Sequence, residues 1–282
     1  MRALVAGNVD RQVEFNWSQP REDDFKTVFA DIKSRIAREE LHKAVPAVFE
    51  VSKQTLTPSE LRICLAHLVS AASSVIVYGM WYDGKGILGA TPETLFTLTE
   101  NELATMALAG TLPKSPFASP QQLIEDPKER HEHDLVVQDL AHQLSGLGRV
   151  DKGTLEVLEL PHLFHLRTLL KVRLPRAVHA DEMLRLLHPT PALGVSPRQY
   201  GYHWLSRFAQ QELRSRFGAP LVFSLGGELT LALVAIRNVQ WNSEGTVLGS
   251  GCGIVAESEL AKEWLELKAK RDSVKKLLGF KL

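Results

Sequence analysis

Apolar positions near the start of the chain recur in steps of three and four. Over residues 22–43, "EDDFKTVFADIKSRIAREELHK", Phe25, Val28, Phe29, Ile32 and Ile36 keep that step, which predicts a helix. "AVPAVFEVSK" turns to strand character, with Pro46 favouring an edge or a bulge. "TPSELRICLAHLVSAA" reads as a second helix, opened by a Thr or Ser cap and a proline in its first turn. Alternating apolar stretches follow, "SVIVYGMWY", "GILGATPETLFTLT" and "ELATMALAGTL". The turns "YDGKG" and "TENE" separate them, so an antiparallel meander is expected. The proline-bearing loop "PKSPFASPQQ" leads into an acidic helix, "EDPKERHEHDLVVQDLAHQL". "GTLEVLELPHLFHLRTLLKVRLP" gives paired strands, "HADEMLRLLHP" a short helix stopped by Pro189, and "SPRQYGYHWLSRFAQQELRSRF" a longer helix. "PLVFSLGGELTLALVAIRNVQW" predicts a hairpin turning at Gly226 and Gly227, and "TVLGSGCGIVA" a last strand before a second acidic helix, "ELAKEWLELKAKRDSVKKLL".

Helices stand singly between antiparallel hairpins rather than alternating with parallel strands. The fold class is therefore α+β: two antiparallel β-sheets packed as a sandwich with helices on the outside. With 282 residues and no linker or repeat, residues 1–282 are expected to form one domain.

Composition then narrows the function. A formal net charge of zero provides no field for nucleic acid or an anionic membrane surface, and the basic residues are interleaved with acidic ones. Two cysteines, Cys64 and Cys252, are too few for a disulfide framework or a zinc cage. "MRALVAGNVDRQVEF" is interrupted by Asn8, Asp10 and Arg11 before an apolar signal core can form, and no apolar run is long enough to span a membrane. The expectation is a cytoplasmic protein.

The two acidic helices carry the most suggestive spacing. Glu129 and Glu132 are three residues apart, as are Glu263 and Glu266, so each pair shares a helix face. With Arg130 and Lys262 nearby, such a face can be a solvated surface laced with ion pairs, or half of a site for a hard divalent cation. Spacing alone leaves both open. His131 and His133 point to different helix faces, which argues against zinc. Phosphate-binding glycine loops and serine nucleophile elbows are absent.

Seven ordered blocks, "LGATPETLF", "MALAGTLPK", "DPKERHEHDLVV", "LFHLRTLLKVRL", "LLHPTPALGVSPR", "VAIRNV" and "GSGCGIVAESELAKEWLELKAK", resemble the chorismate-utilising enzymes. These include isochorismate, salicylate, anthranilate and aminodeoxychorismate synthases, and the match runs from about Lys43 to Lys270. The resemblance implies that Glu132 and Glu266 are ligands of a Mg²⁺ ion that clamps the ring carboxylate of chorismate, with Glu129 and Glu263 holding the metal's waters. Glu93 in "GATPE" matches the general acid that protonates the departing C4 hydroxyl. Lys43 in "LHKAVPA" matches the lysine that activates water for attack at C2, a role for a neutral amine. Arg237 matches an arginine for the enolpyruvyl carboxylate and Lys270 a further carboxylate-binding lysine. Gly110, Thr111, Gly251 and Gly253 match backbone that approaches substrate, and His165 a histidine near the ring, although a satisfied core histidine reads equally well.

Two residues favour isochorismate synthase within this resemblance. Ala192 in "PTPA" stands where ammonia-adding members carry Thr, and Lys43 supplies the base that the anthranilate enzymes lack. Salicylate synthase shares the first step and then eliminates pyruvate; a shortened relative that binds without turnover is the reading from another class. Only 42 residues precede Lys43, so an N-terminally shortened fold is expected, with self-association or a partner chain completing one sheet. The segment between Thr111 and Glu132 is shorter than in typical members, which implies a thinner lid. Lys171 and Val172 replace a family glycine, and "GAPLVFS" departs from the family's aromatic hairpin.

Overall fold

The computed structural model describes residues 8–71, 74–226 and 228–282. Part of the N-terminal stretch read against a signal peptide, the last residue of the second predicted helix and Gly227 of the predicted turn lie outside them.

Helix α1, Glu22–Ala37, buries the predicted stripe of Phe25, Val28 and Ile32. It stops short of the expected residue 43 because Glu39 turns left-handed (φ 60°) and the chain then joins a sheet. Strand β1, Lys43–Ala44, is followed by β2, Ala47–Ser52, so Pro46 falls between strands as its missing N–H requires. Helix α2, Pro58–Val69, starts with a capping box in which Thr57 and Glu60 satisfy each other's free N–H groups.

The expected meander is divided between two sheets. Strands β3, Ile76–Tyr82, and β4, Lys85–Thr91, pair with each other. Strands β5, Thr94–Leu98, and β6, Glu102–Pro113, pair in a different sheet, so the chain changes sheet at Pro92 and Glu93. Part of the proline-rich loop folds into α3, Pro120–Glu125, with a Ser119 capping box, and α4, Pro127–Ser145, is the first acidic helix. Strands β7, Val150–Lys152, and β8, Glu156–Glu159, both pair with β9, Leu163–Arg173. Helix α5, Ala180–Leu187, ends before Pro189, and β10, Val195–Ser196, pairs with β1.

The long helix expected over 196–217 is instead three short 3-10 turns, Arg198–Tyr200, His203–Arg207 and Gln211–Arg214. Gly201, Gln210 and Ser215 all take positive φ and interrupt it. The four-residue spacing of Tyr200, Trp204 and Phe208 is still used, because this cluster packs against α1 with the Arg35 guanidinium 4.5 Å from the Trp204 ring. The side chains of Gln210 and Gln211 pair with the backbone of Phe49 and Ala47, so they cover the edge of β2.

Strands β11, Pro220–Leu225, and β12, Leu229–Val234, form the predicted hairpin. Its expected continuation to Trp241 belongs to the other sheet, as β13, Asn238–Asn242. Strand β14, Gly245–Gly251, and helix α6, Leu260–Leu278, complete the chain.

The result is the expected pair of antiparallel sheets with outer helices. A seven-stranded sheet runs β11-β12-β5-β6-β9-β7, with β8 also on β9, and a five-stranded sheet runs β2-β14-β13-β4-β3. Helices α4 and α5 cover the first through Val136, Leu140, Met183 and Leu187, while α2 and α6 cover the second through Ile63, Leu68, Val274 and Leu278. The chain passes between the sheets at Glu93 and again at Arg237, and these crossings lie side by side at one cleft.

Candidate active site

The cleft is partly open to solvent and its free volume is about 70 Å³, so it is narrow beside the roughly 300–1,000 Å³ of most small-molecule sites. Glu93, Gly110, Thr111, Glu132, His165, Ala192, Arg237, Gly251, Gly253 and Lys270 all line it, with Leu108, Leu193, Phe217 and Ile236 as apolar wall. Lys43 is off the lining but meets Glu132, Glu129 and Glu263 are joined to Glu132 through Lys128, and Glu266 meets Lys270. Sequence positions spread over most of the chain therefore converge.

Local folding explains each placement. Strand β1 pairs with β10 on one side and bridges Ile254 on the other, which carries Lys43 into the interior beside Gly253. Its side chain is fully buried, with Nζ 3.1 Å from Glu132 Oε1. A Cβ on Gly253 would lie 2.1 Å from that oxygen and 2.5 Å from Lys43 Cε, so a larger residue there would displace both side chains. Gly110 takes φ +81° at a bulge in the β6–β9 register, and the bulge turns the following Thr111 toward α4. Arg237 takes φ 57° at the second sheet crossing, an uncommon conformation for a side chain of its size.

The hydrogen bonds fix the protonation of His165. Arg237 Nη2 donates to Nε2 at 2.8 Å, so Nδ1 carries the hydrogen and donates to the carbonyl of Gly110 at 3.1 Å. Burial, reinforced by the charges of Arg237 and Lys270, holds this imidazole well below its ordinary range, so it is neutral. Burial also lowers Arg237, to about 10. Glu93 is 5% exposed. Burial pushes its carboxyl up to about 7, against the opposing pull of Lys43, Lys270 and Arg237. It is a carboxylic acid poised near neutrality. Lys270 is drawn toward Glu266 at 2.6 Å and donates to the carbonyl of Gly251 at 2.9 Å. Burial works against its charge, but Glu266 outweighs that and raises it.

The acidic helices meet as expected, and their basic neighbours Arg130 and Lys262 are exposed and turned elsewhere, to Ile124 and Glu259. Glu132 lies on the buried stripe of α4, one turn before Val136, and Glu263 and Glu266 lie on that of α6. The centre of the cluster is held by Lys128, which the sequence reading did not single out. Its Nζ is 3.0 Å from Glu129 Oε1, 3.0 Å from Glu132 Oε2 and 2.9 Å from Glu263 Oε1. A signal was present in the sequence: Lys128 occupies the first turn of a helix, where the dipole favours acids over cations.

Burial opposes ionisation of Glu132, but Lys43, Lys128 and Lys270 outweigh it and hold the carboxyl at about 2. Burial and the charge of Glu132 push Glu129 up to about 8, although its Oε2 accepts the Thr111 N–H at 2.7 Å. Among the described residues no three His, Cys, Asp or Glu side chains form a ready metal cage. The four carboxylates nevertheless suit a hard cation. Glu129, Glu132 and Glu263 are oxygen donors from two helices around the Lys128 ammonium, Glu266 on the second helix is 2.6 Å from Lys270, and Glu263 Oε2 is buried with no hydrogen-bond partner. His131 and His133 part company as expected. The first meets Glu257 at the surface, and the second is buried between Ala109 and Thr168.

Buried cationic side chains and a buried carboxylic acid share a cleft walled by apolar residues, an arrangement suited to binding a small anionic molecule. The chain belongs to the chorismate binding enzyme family, whose model matches residues 6–279. It is 33% identical over 203 residues to the salicylate biosynthesis isochorismate synthase of Pseudomonas aeruginosa, covering 68% of this chain and 42% of that one. To anthranilate synthase component 1 of Streptomyces coelicolor it is 29% identical over 254 residues, covering 84% and 49%. The solved structure of a putative 2,3-dihydroxybenzoate-specific isochorismate synthase, DhbC from Bacillus anthracis, shares the fold. Its TM-score is 0.82 at 23% identity, covering 96% of this chain and 76% of that one. The chain spans about half the length of the curated relatives it matches. Among the described residues no helix is long and apolar enough to cross a membrane.

Proposed function

We propose that the chain is an isochorismate synthase, which moves the hydroxyl of chorismate from C4 to C2 by adding one water and releasing another. The observation that carries this reading is a pair of buried groups of opposite kind at one cleft. The amine of Lys43 lies behind Gly253 and Glu132, and the carboxylic acid of Glu93 lies where the chain changes sheet. Lys43, in its neutral form, takes a proton from the attacking water, and Glu93 gives its proton to the departing C4 oxygen; Lys43 then loses its proton to solvent and Glu93 takes one back, which resets both groups. Arg237 has N–H groups beyond the one used on His165, and these bind the enolpyruvyl carboxylate. Lys270 binds a further carboxylate. The neutral His165 holds Arg237 in place without adding charge. Glu132 and Glu266 would hold Mg²⁺, with Glu129 and Glu263 behind them. The ion, when bound, supplies positive charge for the ring carboxylate.

The test is the purified chain with chorismate and Mg²⁺, products being separated by chromatography and weighed, with and without ammonium. Isochorismate is expected, and Lys43→Ala is expected to abolish it while chorismate still binds. Salicylate as the end product, or an amino product that needs ammonium, would replace this reading. The likeness to anthranilate synthase component 1 over 84% of the chain makes the second outcome a real competitor. Chorismate binding with no product would assign the chain a binding role.

A further inference from the structure

We infer that Lys128 is a built-in counter-cation that occupies the acidic cluster until a divalent ion arrives, so that metal binding is an exchange of one cation for another. The inference rests on reading the cluster as a cation site. The ammonium has three donors, and three carboxylate oxygens from two helices stand at 2.9 to 3.0 Å from it. It thereby ties the start of α4, through Glu129 and Glu132, to the first turn of α6, through Glu263. Without it Glu132 would keep only Lys43, and Glu129 and Glu263 would lose the ammonium they share.

Two observations mark the arrangement as one made to be exchanged. First, a single ammonium does not satisfy the cluster. Glu263, only 2% exposed, keeps Oε2 buried and without a hydrogen bond, and a divalent ion accepting six or more oxygens answers that demand better. Second, Lys128 can leave. Its side chain retains 16% exposure and sits on a flexible four-carbon stem, whereas the Lys43 side chain is wholly enclosed. Lys128 thus keeps the two acidic helices together in the absence of metal and lowers the affinity of the empty site for it, since the ammonium must first be expelled. It is a positioning residue, and its effect belongs on metal affinity rather than on the chemical step.

Isothermal titration of Mg²⁺ and Mn²⁺ into the chain without chorismate tests this, comparing wild type with Lys128→Met, which keeps the length and removes the charge. The variant is expected to bind on the order of tenfold tighter, because the competing state is gone. Equal or weaker binding by the variant overturns the exchange while leaving the cation site standing. Absence of binding by both proteins, with Glu132→Gln making no difference, overturns the exchange and the cation-site reading together. A measurement on wild type covers the case in which the variant fails to fold. Reductive methylation of Lys128, followed by peptide mass spectrometry, is expected to be slow without metal and several-fold faster in saturating Mg²⁺ as the amine is released. Unchanged or slower labelling with metal overturns the proposal.

Discussion

Glu93 carries the clearest consequence at the scale of single residues. Its carboxyl, pushed up to about 7 by burial against the pull of Lys43, Lys270 and Arg237, holds its proton below that pH and loses it above. A proton donor is active in its protonated form, so, with Lys43 in the neutral form that its role as base requires, kcat/KM for chorismate is expected to fall as pH rises through about 7. Glu93→Gln should lower turnover by about 10²–10⁴-fold and remove that alkaline limb. A variant that keeps both its rate and its limb would take the acid role away from Glu93. None of this could be read from the residue in isolation, because a glutamate after a proline at a strand start is ordinarily a solvated edge residue. Only the resemblance singled it out, and its environment is tertiary: the buried neighbours come from β1, β12–β13 and α6. Lys128 shows the opposite case. Its three partners stand out in the sequence as paired acids, yet a lysine next to acids on a helix reads as a surface ion pair until the second helix is in place.

Elements were legible where local chemistry and packing agree. The cap and first-turn proline of α2, the helix stop at Pro189 and the buried stripe of α1 are all visible as patterns. The apolar alternation runs on through β4–β5 and through β12–β13, yet each of these stretches changes sheet in the middle. Alternation says that a residue is in a strand and is silent about which sheet receives it. The attachment of α6 to the five-stranded sheet gives an element-scale prediction. Glu50 on β2, fully buried, meets Arg271 at 2.9 Å and also Lys275, one turn further on α6. Removing the carboxylate leaves two buried cations unpaired. Glu50→Ala is therefore expected to destabilise the chain by about 3–5 kcal/mol in urea unfolding. Because α6 also carries Glu263, Glu266 and Lys270, activity should fall in the surviving folded protein. A loss below about 1 kcal/mol would mean that these charges find water instead, and that α6 is held by its apolar stripe alone.

At the scale of the whole molecule, the cleft draws on both sheets, since β4–β5 and β12–β13 cross beside it while β6, β9 and β14 supply its walls. Phe49 of β2 and Leu95 of β5 share one apolar cluster, so the core continues across the two sheets near the site. A ligand seated there contacts both and cannot stay bound if either unfolds. Chorismate at about 100 times its dissociation constant contributes about 2.7 kcal/mol to the folded state, which for a chain of this size moves the thermal midpoint by on the order of 5 °C. Scanning fluorimetry in Mg²⁺ buffer is expected to show one transition that shifts as a unit, and Arg237→Ala should suppress the shift because the enolpyruvyl carboxylate then loses its guanidinium. Two transitions, only one of them moved by chorismate, would mean that the sheets unfold separately and that the site belongs to one of them. A single transition that ignores chorismate would remove the ligand from this cleft, whatever the family resemblance of its walls.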